Sequence, residues 1–128
     1  MELILKLCSP VTVGNVIEFT KNLDGDLPIR VSNILMRNAI NELQNGGLFD
    51  FSMTDSFILP TNGKKGVEVI EFSGASTGKG ATLSDFRNFV KTKKIAADAL
   101  IGRKENNGRT YFDFNEGVIV GCGAVILV

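Results

Sequence analysis

The sequence predicts an α+β domain in which a largely antiparallel sheet carries about three helices and ends in a C-terminal β-meander. Three observations lead there. Apolar residues recur with period two in some segments and with helical spacing in others, and the resulting order, β, α, (β), α, β, β, β, α, β, β, β, lacks the regular alternation of a parallel α/β sheet. Asn107-Gly108, the strongest short hairpin signal, stands between two strand-like runs. The chain closes on Gly117–Val128, twelve residues without a charge. That run is too short to cross a bilayer as a helix, which takes about 20 apolar residues, so it reads as a buried strand.

The elements follow in order. Leu3, Leu5 and Leu7 alternate with Glu2, Ile4 and Lys6 as a first strand. Ser9-Pro10 reads as an N-cap with proline in the first helical position, and Val13, Val16, Ile17, Thr20 and Leu23 form one helix face, ended by Asp24-Gly-Asp26. Leu27–Val31 is extended. Ser32 caps a second helix with Met36, Ala39, Ile40 and Leu43 inward, stopped by Gly46 and Gly47. Phe49, Phe51 and Met53 alternate as a strand, Thr54-Asp-Ser56 turns it, and Phe57–Leu59 is a brief apolar piece. The loop Thr61–Gly66 leads to a strand over Val67–Phe72. Thr82 caps the third helix with Asp85 in the capping-box position, and Leu83, Phe86, Phe89 and Val90 form its inner stripe. The meander then runs from Ala96 to Lys104, back over Arg109–Phe114, through Asn115-Glu-Gly117 and along the terminal run. Its two covered faces suit either a central strand or the interface of a homo-oligomer. No domain boundary or internal repeat is evident, so residues 1–128 read as one domain.

Composition narrows the function. Fourteen basic and fourteen acidic residues cancel, so any charged site is local. Histidine is absent, which removes the usual neutral-pH general base, the imidazole triads and the commonest zinc ligand, and the reading leans away from an enzyme. Glu68 and Glu71 are the nearest approach to a carboxylate pair and read as surface charges. Cys8 and Cys122 make neither a zinc pattern nor a disulfide framework and read as reduced core thiols. No metal or cofactor is expected. The amino terminus lacks the features of a signal peptide, which points to a cytoplasmic setting without membrane contact.

Two features point to a ligand. Ser73–Ala81 is glycine-rich and lies between a strand and a helix, where backbone N–H groups can cradle phosphate oxygens. It fails the phosphate-loop pattern of nucleotide hydrolases, because one residue is missing between the glycines and Gly80 replaces the metal-binding Ser or Thr. Ser76, Thr77, Gly78, Lys79 and Gly80 remain candidates for anion binding without hydrolysis. The second feature is charge asymmetry. Residues 1–60 hold four basic and seven acidic side chains, residues 61–128 ten and seven. In the basic half, Arg87, Lys91, Lys93, Lys94, Arg103, Lys104 and Arg109 are interleaved with Phe86, Phe89, Tyr111, Phe112 and Phe114. The phenylalanines read as core. Arg103, Arg109 and Tyr111 read as charge and a stacking face for a nucleotide or single-stranded nucleic acid. The expectation is therefore a homo-oligomeric, non-enzymatic binder of a phosphate-bearing ligand. The alternative is an assembly subunit or small protein-interaction inhibitor acting through the apolar C-terminal strand.

Overall fold

The computed structural model describes residues 4–32, 48–50, 53, 57–58, 65–70, 81–104, 111–121 and 123–128. It is an α+β fold. Two helices are present among the described residues, α1 (Val13–Thr20) and α2 (Leu83–Thr92); the helix expected after Ser32 lies outside them. Both begin with a reciprocal capping box. Thr12 Oγ1 accepts from the Asn15 N–H while Asn15 Oδ1 accepts from the Thr12 N–H, and Thr82 and Asp85 repeat the arrangement. The first helix therefore starts at Thr12, and Ser9-Pro10 is not its cap. Asn15 can answer Thr12 across one turn, whereas Ser9 stands three residues too early.

The strands form two sheets. In the first, β1 (Ile4–Leu7), β8 (Gly117–Gly121), β9 (Ala124–Leu127), β2 (Ile29–Ser32) and β3 (Leu48–Asp50) lie in that spatial order. In the second the order is β4 (Phe57–Ile58), β5 (Lys65–Ile70), β6 (Ile101–Lys104) and β7 (Tyr111–Asp113). Each sheet is mixed, with one parallel pair: β2 with β9, and β5 with β6. The pairing is thus largely antiparallel, as expected, but in two sheets instead of one, and the two parallel pairs were not anticipated. The path β5–α2–β6 is a crossover between adjacent parallel strands, which a pattern of element types does not reveal.

The meander is corrected as well. Phe114 is buried and its N–H donates to Ile101 O in the second sheet, whereas Gly117 exchanges hydrogen bonds with Val128 in the first. Asn115-Glu-Gly117 thus carries the chain from one sheet to the other instead of folding a hairpin. The terminal run is itself a hairpin: Gly121 pairs with Ala124, and Gly123 turns with φ 69°, a left-handed conformation that glycine adopts without strain. β9 is central, with Val125, Ile126 and Leu127 wholly buried.

An internal two-fold repeat emerges from the hydrogen bonds. Val13 N–H donates to Ala99 O, and Leu83 N–H to Leu27 O. Gly14 N–H donates to Ala97 O, and Ser84 N–H to Gly25 O. Ile29 N–H donates to Ala81 O, and Ile101 N–H to Val11 O; Val125 N–H donates to Pro28 O, and Val67 N–H to Leu100 O. The units are α1-β2-β3-β4-β5 and α2-β6-β7-β8-β9, and each lays its last strand parallel to the first strand of the other. Sequence alone shows no repeat, because 15 residues separate β2 from β3 while six separate β6 from β7. What survives in sequence is slight: the Thr-x-x-Asn/Asp caps, and Leu48-Phe-Asp-Phe51 against Tyr111-Phe-Asp-Phe114. Val16, Ile29, Val67, Phe86, Ile101 and Val125 draw the core equally from both units.

At the two equivalent helix starts, close approach requires a glycine on alternate sides. A Cβ on Gly14 would lie 2.9 Å from the Ala97 carbonyl oxygen, whereas one on Gly25 would overlap Ser84 Oγ, an exposed hydroxyl that can rotate away. Gly14→Ala is expected to cost about 1–2 kcal/mol even after the helix-propensity gain of alanine. Gly25→Ala is expected to cost less, and to lose most of that cost when Ser84→Ala is added. Urea denaturation of the four variants measures this, and equal penalties at both glycines would contradict it.

Candidate phosphate-ligand site

The site is built at one end of the second sheet. β5 and β6 run parallel and end together at Ile70 and Lys104, and β7 begins beside them at Tyr111. The register sets Ile70, Lys104 and Tyr111 in one row and Val69, Arg103 and Phe112 in the next. β5 ends here at Ile70, and the next described residue is Ala81, whose carbonyl accepts from Ile29 N–H. Ser76, Thr77, Gly78, Lys79 and Gly80 lie outside the described residues, as does Arg109.

Of the eight residues singled out from sequence, the structure therefore positions two, Arg103 and Tyr111, on hydrogen-bonded neighbouring strands. They occupy successive rows of the register. The basic residue in Tyr111's own row is Lys104, which sequence reasoning left out of the site. The signal was available. Counting outward from Asn107-Gly108 as a two-residue turn pairs 104 with 111 and 103 with 112, which is the register observed.

The rest of the basic half is not part of this corner. Arg87 is half-buried, and its Nη2 donates to Thr20 O at 2.6 Å and Leu23 O at 3.2 Å, so this guanidinium ties α2 to the end of α1. Lys91, Lys93 and Lys94 are exposed where α2 ends, ahead of the connection to the first residue of β6, whereas Arg103 and Lys104 stand at its last. Lys91 complements the negative end of the helix dipole. Phe86 and Phe114 are core and Phe89 is half-buried against it; Phe112 is placed by backbone register alone.

The other polar candidates are dispersed. Glu68 is half-buried on β5, level with Gly102 and Asp113, while Glu71 lies outside the described residues. Cys8 is a half-buried free thiol following β1, and desolvation pushes its pKa above the ordinary thiol value, which disfavours the reactive thiolate. Cys122 lies outside the described residues. Among the described residues, no three His, Cys, Asp or Glu side chains group to hold a metal ion, and no helix is long and apolar enough to cross a membrane.

The two-fold repeat supplies an internal control for the corner. In the other unit Ser32 and Leu48 stand where Lys104 and Tyr111 stand, and Val31 stands where Arg103 stands. The fold is thus built once with apolar and small residues at these positions and once with two cations and a tyrosine. Compared with protein-family models, with curated proteins and with solved structures, the chain matches none, so it is this arrangement of residues that carries the functional reading.

Proposed function

We propose that the protein is a non-enzymatic, homo-oligomeric, cytoplasmic binder of a phosphate-bearing ligand, a nucleotide or short single-stranded nucleic acid, held where the glycine-rich loop leaves β5. One observation supports this above the others: the register that aligns the end of β5 with Lys104 and Tyr111, at positions where the equivalent corner carries no charge. Backbone N–H groups of Ser76–Gly80, together with Lys79, would meet phosphate. Lys104, Arg103 and Arg109 would add charge, and Tyr111 would stack on a base. The buried β9 leaves its side chains unavailable to a partner, so an assembly role would have to use another surface.

The test is fluorescence titration of a labelled oligo(dT) and, separately, calorimetric titration of ATP, each between about 50 and about 200 mM salt. Oligonucleotide affinity is expected to fall steeply with salt, and Lys104→Ala to flatten the log–log slope by about 0.7 for the phosphate contact removed. Tyr111→Ala is expected to weaken oligonucleotide binding by about 1–3 kcal/mol without changing that slope. Absence of binding to both probes, or affinity indifferent to salt, would refute the proposal.

A further inference from the structure

The two helix ends that the internal repeat makes equivalent differ in charge. At the end of α1, Lys21 Nζ donates to Glu18 Oε1 at 2.9 Å, and Asp24 and Asp26 follow. α2 is ten residues long where α1 is eight, and its end displays Lys91, Lys93 and Lys94, all exposed, with Asp98 the one acidic residue before β6. Lys91 and Lys94 have no ion-pair partner among the described residues. α2 closes in a Schellman motif: Ile95 N–H donates to Val90 O at 2.9 Å and Lys94 N–H to Lys91 O at 3.3 Å, with Ile95 and Val90 both packed against the core. The left-handed position of that motif, usually a glycine, is held by Lys94 at φ 54°, a conformation that strains an L-residue.

What such a patch can bind follows from what surrounds it. The exposed large apolar side chains among the described residues are Ile4, Leu5 and Leu7, all on β1, and the exposed residues from Lys91 to Asp98 are the three lysines, Thr92, Ala96, Ala97 and Asp98. Protein interfaces are anchored by aromatic or aliphatic side chains and membrane-surface helices by an apolar face, and this end offers neither. The phosphate backbone of a nucleic acid asks for cations and hydroxyls only. We propose that the end of α2 is a second phosphate contact for the ligand of the β5–β7 corner, so that the ligand is a single-stranded nucleic acid of several nucleotides and not a mononucleotide. This rests on the function proposed above and narrows its ligand class. Lys94 precedes Lys104 by ten residues, at most about 35 Å of extended chain. A stacked strand advances about 3.4 Å per nucleotide, so roughly ten nucleotides cover that reach, within the about 4–16 that a single-strand-binding fold occupies.

Fluorescence titration of labelled oligo(dT) of about 4 and about 16 nucleotides, with wild type and with Lys91→Gln/Lys94→Gln, tests it. The double variant is expected to bind the long probe about tenfold or more weakly and to flatten its log–log salt slope by about 1.4, for two phosphate contacts, while binding the short probe as wild type does. Lys94→Gly separates ligand contact from structure: its melting temperature should rise by about 2–4 °C as the strain is relieved, while its affinity for the long probe falls. Long-probe binding unchanged in the double variant, an equal loss on both probes, or a Lys94→Gly protein that is more stable and binds the long probe like wild type would each overturn the inference while the corner stands on its short-probe binding. A wild type that binds neither probe would refute the corner, and the second contact with it.

Discussion

Removing Val125–Val128 is expected to leave a chain that does not fold. Val125, Ile126 and Leu127 are wholly buried and Val128 is 5% exposed, so four apolar side chains leave the core together. At about 1.5–3 kcal/mol for each buried aliphatic side chain, the loss is comparable with the whole stability of a small domain, about 5–15 kcal/mol. The backbone loss compounds it. β9 pairs antiparallel with β8 and parallel with β2, and Val128 bonds to Gly117 and Glu116, so the truncation severs the first sheet through its middle. Loss of the cooperative thermal transition, followed by circular dichroism, is the expected result. A truncated chain that kept a sharp transition would mean that β9 is an appendage, and would return the C-terminal run to the role of an interface.

Arg87→Met is expected to destabilise the fold by about 2–3 kcal/mol, more than Gly14→Ala. The change keeps the apolar stem and removes two charge-assisted hydrogen bonds, to the carbonyls of Thr20 and Leu23. Those carbonyls lie at the end of α1, where Thr20 O also accepts from Leu23 N–H at 3.0 Å and the guanidinium supplies a further, charged donor. Thr20 is fully buried and its hydroxyl donates to Val16 O, so the guanidinium reaches into a site shielded from water. Lysine at position 87 would present a single point donor in place of a planar fork, and is expected to recover less than half of the loss. In urea, with a slope of about 1–3 kcal/mol/M, the Met variant should unfold about 1–2 M earlier than wild type. A midpoint shift below about 0.3 M would show that water serves these carbonyls equally well.

Local chemistry made much of the fold legible. The capping box at Thr82 and Asp85 was readable because donor, acceptor and spacing all lie within four residues, and the Asn107-Gly108 signal carries the β6–β7 register with it. Thr12 was missed because Pro10, a strong helix-start residue, lies just upstream and Asn15 is a less familiar partner than an acidic side chain. The parallel pairs were illegible for a different reason. Ile29 and Val125 meet across most of the chain, and nothing in either segment names the other. The candidate site divides the same way. A glycine-rich segment and a basic-aromatic strand can each be seen in sequence, but that the strand preceding the one lies beside the strand leading to the other follows only from β5 and β6 being parallel neighbours. Arg87 looked like surface charge because its acceptors, 64 and 67 residues away, are backbone atoms.

The exchange of strands between the two units also orders events during synthesis. β2 emerges early in translation, yet the slot between it and β8 is filled by β9, which is made after every other described strand. The first sheet cannot close before then. Until β9 has left the ribosome, the edge of β2 that it occupies in the folded protein has no strand to pair with.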